Sequence, residues 1–166
     1  MKKLLILFSF LGVIAACIRE DKVADVKVGD KLPAFEVVMN DGSVVSDASL
    51  KGNVSVVMFF HASCPDCQQA LPVVQTIYDE YAQKGVIFAL ISRECGEEEV
   101  TAYWKEKDLN LPYSAQKDRS VYNLFASSRI PRIYISDENG TVRYIFTDDP
   151  VPSYSDLQSS LDALIR

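Results

Sequence analysis

Val54–Phe60 (Val-Ser-Val-Val-Met-Phe-Phe) and the Cys64-Pro65-Asp66-Cys67 sequence just beyond it constrain this chain more than any other stretch. A nearly continuous apolar run rich in β-branched and aromatic residues reads as a strand buried on both faces. Residues 65–83 then change period, with Ala70, Leu71, Val74, Ile77, Tyr78 and Tyr81 on one helical side and Gly85 as the stop. The cysteines therefore fall where a central strand hands over to a long helix. At that junction Cys64 occupies the helix N-terminus, where unpaired amides and the helix dipole favour a thiolate. The two intervening residues bring Cys67 to the same face, so the two sulfurs can close a short-loop disulfide.

The rest of the chain alternates around this unit. Phe35–Met39 and Val44–Val45 flank Asn40-Asp41-Gly42-Ser43, a hairpin signal. Val86–Ile91 is a second buried strand, and Glu97–Lys107 is a helix opening on three acids, where the dipole favours them. Ser120–Ala126 reads as a short helix. Arg132–Ile135 and Val142–Phe146 are strands joined by Asp137-Glu138-Asn139-Gly140, and Tyr154–Ile165 is a closing amphipathic helix. The expected class is α/β, with a central mixed sheet whose last two strands are antiparallel, an N-terminal β-hairpin and an inserted helix after the second central strand. At 166 residues the chain has room for one such domain. A net charge of −6 with no basic stripe argues against nucleic acid as a partner.

The first residues obey a different rule. Lys2 and Lys3 precede an apolar run from Leu4 to Ala16, the length of a secretory signal's hydrophobic region and short for a bilayer span. It closes on Ile14-Ala15-Ala16-Cys17, which resembles the lipobox of bacterial lipoproteins. An ordinary signal peptide with a coincidental cysteine is the alternative. On the lipobox reading, residues 1–16 are the signal peptide, Cys17 is the lipid anchor, residues 17–30 are a charged lipidated tether, and residues 31–166 are the domain. The protein is then expected in the bacterial cell envelope, held to a membrane and facing the periplasm. Arg19-Glu20-Asp21 resembles a sequence that sends some lipoproteins to the outer surface, and also reads as plain solvated linker.

Other uses of the cysteine pair fit less well. A zinc site wants two more soft ligands, and His61 and Cys95 are the candidates on offer, so no metal is expected. A purely structural disulfide across so small a loop would remove little chain entropy. Residues 27–166 resemble the membrane-tethered thioredoxin-like proteins of the TlpA/ResA type. The resemblance rests on Phe59-Phe60-His61-Ala62-Ser63-Cys64-Pro65-Asp66-Cys67, on Pro72 within the helix, on Ile130-Pro131 before the third central strand, on the hairpin and on the extra helix. It implies a thioredoxin-like fold and a thiol–disulfide oxidoreductase cycling Cys64 and Cys67, with no cofactor beyond that redox-active disulfide. It also implies a cis-Pro131 against the site, with Ile130 offering backbone to a substrate peptide and Pro65 and Asp66 lining the contact. Protein disulfides in the envelope and an electron-donor protein are the implied partners.

The departures are as informative. Ser63 replaces the usual aromatic residue and is placed to cap the helix. Met58 stands where thioredoxins carry a buried acid, and Ala70 where some tethered members carry a glutamate. Both ordinary proton acceptors for Cys67 are thus missing. His61, the sole histidine, and Asp66 are the nearest substitutes: a protonated His61 would favour the Cys64 thiolate, whereas a packing role at the strand end is the alternative. Cys95, in Ser92-Arg93-Glu94-Cys95-Gly96, reads as an inert small residue in a loop, the alternative being a third thiol that forms a mixed disulfide with Cys64 or binds a partner. Tyr103 and Trp104 read as core. Two rival functions remain: a non-catalytic binding lipoprotein that keeps the fold as a docking surface, and a peroxidase of the peroxiredoxin kind, whose motif needs threonine where this chain has His61.

Overall fold

The computed structural model describes residues 25–165. Cys17 and the signal-like residues 1–16 lie outside the described residues. A five-stranded sheet runs in the order β5-β4-β3-β6-β7, from Tyr113–Ser114, Ile87–Ser92, Ser55–Phe60, Arg132–Ser136 and Val142–Phe146 respectively. Strand β3 sits at its centre, parallel to β4 and antiparallel to β6. All six β3 residues are buried, as a strand covered on both faces requires. The one polar member, Ser55, is matched across the strands by Ser136, with the two hydroxyls 2.6 Å apart. A separate hairpin of β1 (Glu36–Val38) and β2 (Val44–Ser46) precedes the sheet. The mixed sheet, hairpin and helix after the second central strand agree with the sequence.

Helix α2 spans Pro65–Tyr81 and buries Cys67, Ala70, Leu71, Val74, Ile77 and Tyr81. It gives way to a single 3-10 turn, Ala82–Lys84, closed by Gly85 at φ 85°, a left-handed position that favours glycine. Helix α3 covers Glu97–Lys107, α4 is a short Tyr122–Phe125 turn, and α5 runs Tyr154–Asp162. Tyr103 and Trp104 are buried, and the Trp104 ring lies 5.0 Å from Phe60 and from Tyr113. A second aromatic group joins Phe35, Phe59, Tyr122, Phe125 and Tyr134 on the other side of β3.

Three features depart from the sequence expectation. Asp47–Leu50 forms a one-turn helix, α1, initiated by a reciprocal capping box between Ser46 and Ser49, and Tyr113–Ser114 adds edge strand β5. Both are too short to show a period. Residues 25–30, assigned to the tether by their charge, instead pack on the domain. Val26 is buried and its N–H donates to Phe125 O at 2.9 Å, while Gly29 N–H donates to Val142 O at 2.8 Å. The apolar side chain and these backbone bonds outweigh the local charge. No helix among the described residues is long and apolar enough to cross a membrane.

Candidate active site

The C-terminal ends of β3 and β4 lie side by side, with Phe60 paired to Ser92. The chain leaves β3 at His61, turns through Ala62 and Ser63, and enters α2 at Pro65. Cys64 is the N-cap, in extended conformation with φ −79° and ψ 120°, and Pro65 takes the first helical position, where its missing N–H leaves nothing unsatisfied. Ser63 does not cap the helix, contrary to its expected role. The helix begins one residue too late for it, and its hydroxyl lies 3.0 Å from His61 Nδ1 instead. The Ser63 amide also donates to Nδ1, at 3.2 Å, so the imidazole braces the turn before Cys64.

Cys64 is half-buried and Cys67 fully buried, both as free thiols. This is the asymmetry an attacking and a resolving thiol require. Pro65 is exposed and Asp66 partly exposed at the rim. Burial is the main influence raising the Cys67 thiol above its ordinary range. A backbone hydrogen bond from His61 opposes it, the neighbouring Cys64 adds to it, and Arg93 acts to lower it. Met58 and Ala70 are wholly buried apolar residues, so the positions that could have supplied an acid are sealed into the core.

The opposite wall comes from the loop before β6. The Ile130–Pro131 bond is cis, and the Cys64 thiol donates to Ile130 O at 3.7 Å. Cys64, Ile130 and Pro131 are thus brought together from residues 66 apart in sequence. Arg129 precedes them at φ 72°, a left-handed conformation that costs a non-glycine residue about 1 kcal/mol. Tyr122 holds it there, its hydroxyl donating to Arg129 O at 2.7 Å, and the Arg129 guanidinium pairs with Asp148 at 3.2 Å. A second cis bond joins Asp149 and Pro150.

Cys95 is completely buried, and its backbone bridges to Gln116. Burial raises its thiol above the usual range, against a backbone bond from Ala62, and nearby Glu99 raises it further. Sequence reasoning gave no role to two residues that matter here, Arg93 and Tyr122. Arg93 sits one residue past β4, its N–H donating to Phe60 O at 2.8 Å and its guanidinium 5.0 Å from the Tyr122 ring centroid. The signal for it was a lone cation closing a buried strand, beside the strand that leads to the cysteines. No cluster of three His, Cys, Asp or Glu side chains able to hold a metal occurs among the described residues.

A cysteine pair heading a helix, faced by a cis-proline loop across a central mixed sheet, defines a thioredoxin-like dithiol protein. The chain belongs to the AhpC/TSA family, whose model matches residues 28–145. Among curated relatives, thiol-disulfide oxidoreductase ResA of Oceanobacillus iheyensis is 29% identical over 123 residues, covering 72% of this chain and 64% of that protein. This chain thus spans just under two thirds of that relative's length. The ResA of Bacillus cereus is 23% identical over 143 residues, 84% of this chain and 83% of that protein. In fold, the thioredoxin domain of a thiol-disulfide oxidoreductase from Bacteroides vulgatus superposes with a TM-score of 0.73 at 21% identity, covering 86% of this chain and all of that domain.

Proposed function

We propose that the protein is a thiol–disulfide oxidoreductase of the cell envelope that reduces disulfides of other proteins through Cys64 and Cys67. The observation that carries this reading is the exposed-side Cys64 thiol at the α2 N-terminus, 3.7 Å from the carbonyl that precedes cis-Pro131. In the first step the Cys64 thiolate attacks one sulfur of the substrate disulfide. A Cys64–substrate S–S bond forms and the other substrate sulfur leaves as a thiolate, which takes a proton. Cys67, as thiolate, then attacks Cys64. The Cys64–Cys67 disulfide forms and the second substrate thiol is released, so the substrate gains two electrons and two protons. An envelope dithiol protein must return the electrons to reset the pair. No further cofactor enters this cycle.

The remaining roles follow from position. The backbone at Ile130 and the ring of Pro131 form the wall against which a substrate peptide lies, and Pro65 and Asp66 form the opposite rim. His61 shapes the turn that presents Cys64. Cys17 is the lipid anchor, with residues 1–16 removed, placing the domain at the periplasmic face of a membrane. The names borne by the relatives, thiol-disulfide oxidoreductase, support the chemistry.

The decisive experiment pairs a trap with a potential. Cys67→Ser should accumulate a mixed disulfide with a protein substrate through Cys64, seen by mass spectrometry, and Cys64→Ser should accumulate none. A reduction potential near −270 mV would fit a reductase, and one near −120 mV would reverse the direction. Failure of Cys64 and Cys67 to cycle at all would leave the docking-surface alternative, and rapid peroxide consumption would favour the peroxidase.

A further inference from the structure

Ser127, Ser128 and Arg129 form an exposed stretch between α4 and β6, outside any helix or strand. Exposed carbonyls of this kind can be satisfied by water alone. Here each of the three, in succession, is taken by a side chain from elsewhere in the fold. Arg119 Nη2 donates to Ser127 O at 2.9 Å, Arg132 Nη1 to Ser128 O at 2.9 Å, and the Tyr122 hydroxyl to Arg129 O at 2.7 Å. The next carbonyl, Ile130 O, receives the Cys64 thiol at 3.7 Å. The Ser127 amide, in turn, donates to Asp25 Oδ1 at 2.8 Å. A surface loop beside the reactive thiol is thus fixed residue by residue.

The anchors are themselves held. Tyr122 is buried, its ring meets Phe59 edge-on at 5.3 Å, and the Arg93 and Arg119 guanidiniums lie 5.0 and 5.3 Å from its centroid. Burial raises its hydroxyl above the ordinary range, against the nearby Arg93 and Arg132, so it stays a donor. The Arg132 side chain is only 10% exposed and pairs with Asp25 at 3.2 Å, while its buried Nε has no hydrogen-bond partner. Keeping a guanidinium there with an unmet donor costs stability. The Tyr122 bond falls where the backbone needs it most. Arg129 stands at φ 72°, a conformation that L side chains rarely adopt. Released from Tyr122, Arg129 would return to negative φ and swing the Ile130 backbone away from its place beside Cys64.

We propose that Tyr122 is a positioning residue for peptide substrates, its hydroxyl fixing Arg129 and thereby presenting the Ile130 backbone to the substrate main chain. Arg119 and Arg132 brace the same loop from its preceding carbonyls. The substrate class this arrangement favours is a disulfide whose cysteine lies in an extended segment with free backbone amides, over a small disulfide without a main chain. This deepens the function proposed above and rests on Cys64 as the attacking thiol.

The test sets two disulfides against the reduced protein in single turnover, with the protein thiols counted by alkylation and mass spectrometry. One is a synthetic peptide whose disulfide lies in an extended segment; the other is 5,5′-dithiobis(2-nitrobenzoate), which has no main chain. In each case the added disulfide takes two electrons and two protons, and the Cys64–Cys67 disulfide forms. In Tyr122→Phe, which keeps the ring, the half-saturating peptide concentration should rise about tenfold, the scale of one lost hydrogen bond. The limiting rate with the peptide, and the rate with the small disulfide, should change far less. A twin peptide, N-methylated at the amides flanking its cysteine, should bind weakly to the unaltered protein. Tyr122→Phe should weaken that twin little further, because both changes remove the same contact. Arg119→Gln should show the same selectivity at smaller size, and it decides the matter if Tyr122→Phe does not fold. Equal slowing with both disulfides, or an equal penalty on the peptide and its methylated twin, would overturn the proposal by showing a role in structure alone. An unchanged half-saturation in both variants, or an unaltered protein that reduces the small disulfide and not the peptide, would overturn it too. If the unaltered protein closed no Cys64–Cys67 disulfide with either compound, the underlying thiol–disulfide reading would itself be defeated.

Discussion

Replacing Phe125 with alanine should cost about 4 kcal/mol of folding stability, within the usual range for deleting a buried aromatic side chain. The structure places it toward the upper part of that range. Phe125 is fully buried, and its ring meets Phe35, Phe59 and Tyr134 at centroid distances of 5.4, 4.8 and 5.3 Å. These partners come from three separate segments, two of them in the sheet, so the void cannot close by moving one element. Its backbone carbonyl meanwhile accepts bonds from Val26 N–H and the Tyr134 hydroxyl, fixing the turn on which the ring is mounted. A loss of this size is a large share of the roughly 5–15 kcal/mol that a domain possesses. In urea melts it should lower the midpoint by about 2 M, taking a slope near 2 kcal/mol/M. Phe125→Leu, which nearly conserves volume, should cost less than about 1.5 kcal/mol. If Phe125→Ala lost under about 1.5 kcal/mol, or the two variants lost the same, the ring cluster would not be the clamp described.

Two further outcomes are expected. Asp137 accepts backbone bonds from Asn139 and Thr141 at 3.0 Å, and these bonds with the Arg143 ion pair hold its carboxyl below the usual range against the opposing effect of burial. A depressed folded pKa stabilises above the unfolded value near 3.8 and is lost as pH falls through the folded value. Asp137→Asn should therefore cost roughly 1 kcal/mol at pH 7, from weaker turn bonds, and the gap to the unaltered protein should narrow as pH falls below the unfolded value near 3.8 in acid titrations of the melting curve. Cys95, sealed from solvent with its thiol shifted upward, should alkylate only at the rate of global unfolding, whereas Cys64 labels in the folded state; rapid labelling of Cys95 in native protein, followed by peptide mass spectrometry, would contradict its burial.

The central elements were legible because their periods are long and unmixed. Val54–Phe60 could only be a strand covered on both faces, and Glu97–Lys107 matches the observed helix residue for residue. The cysteine pair and Ile130-Pro131 were legible because each carries a local signature, though only the fold brings them within 3.7 Å. What escaped did so for physical reasons. Strand β5 has two residues and α1 one turn, below the length at which periodicity exists. Arg93 and Tyr122 matter through what they touch across the sheet, which one-dimensional spacing does not encode. Asp25 to Asp30 misled because charged residues usually mark solvent, and here one buried valine and a few backbone bonds decide the matter.

That docked N-terminal segment has a consequence for reach. Asp25 Oδ1 accepts the Ser127 amide at 2.8 Å and Asp25 Oδ2 pairs with Arg132 at 3.2 Å, and these two residues bracket the cis-proline loop. The chain therefore enters the domain beside the reactive face rather than at the far end of the sheet. With Cys17 as the anchor proposed above, the eight residue steps from Cys17 to Asp25 extend at most about 28 Å. On that proposal the leash and the reactive face would share one pole, and Cys64 would work in a shallow layer above the lipid. Disulfides carried close to the membrane surface would then come within its range, and those held far out would not.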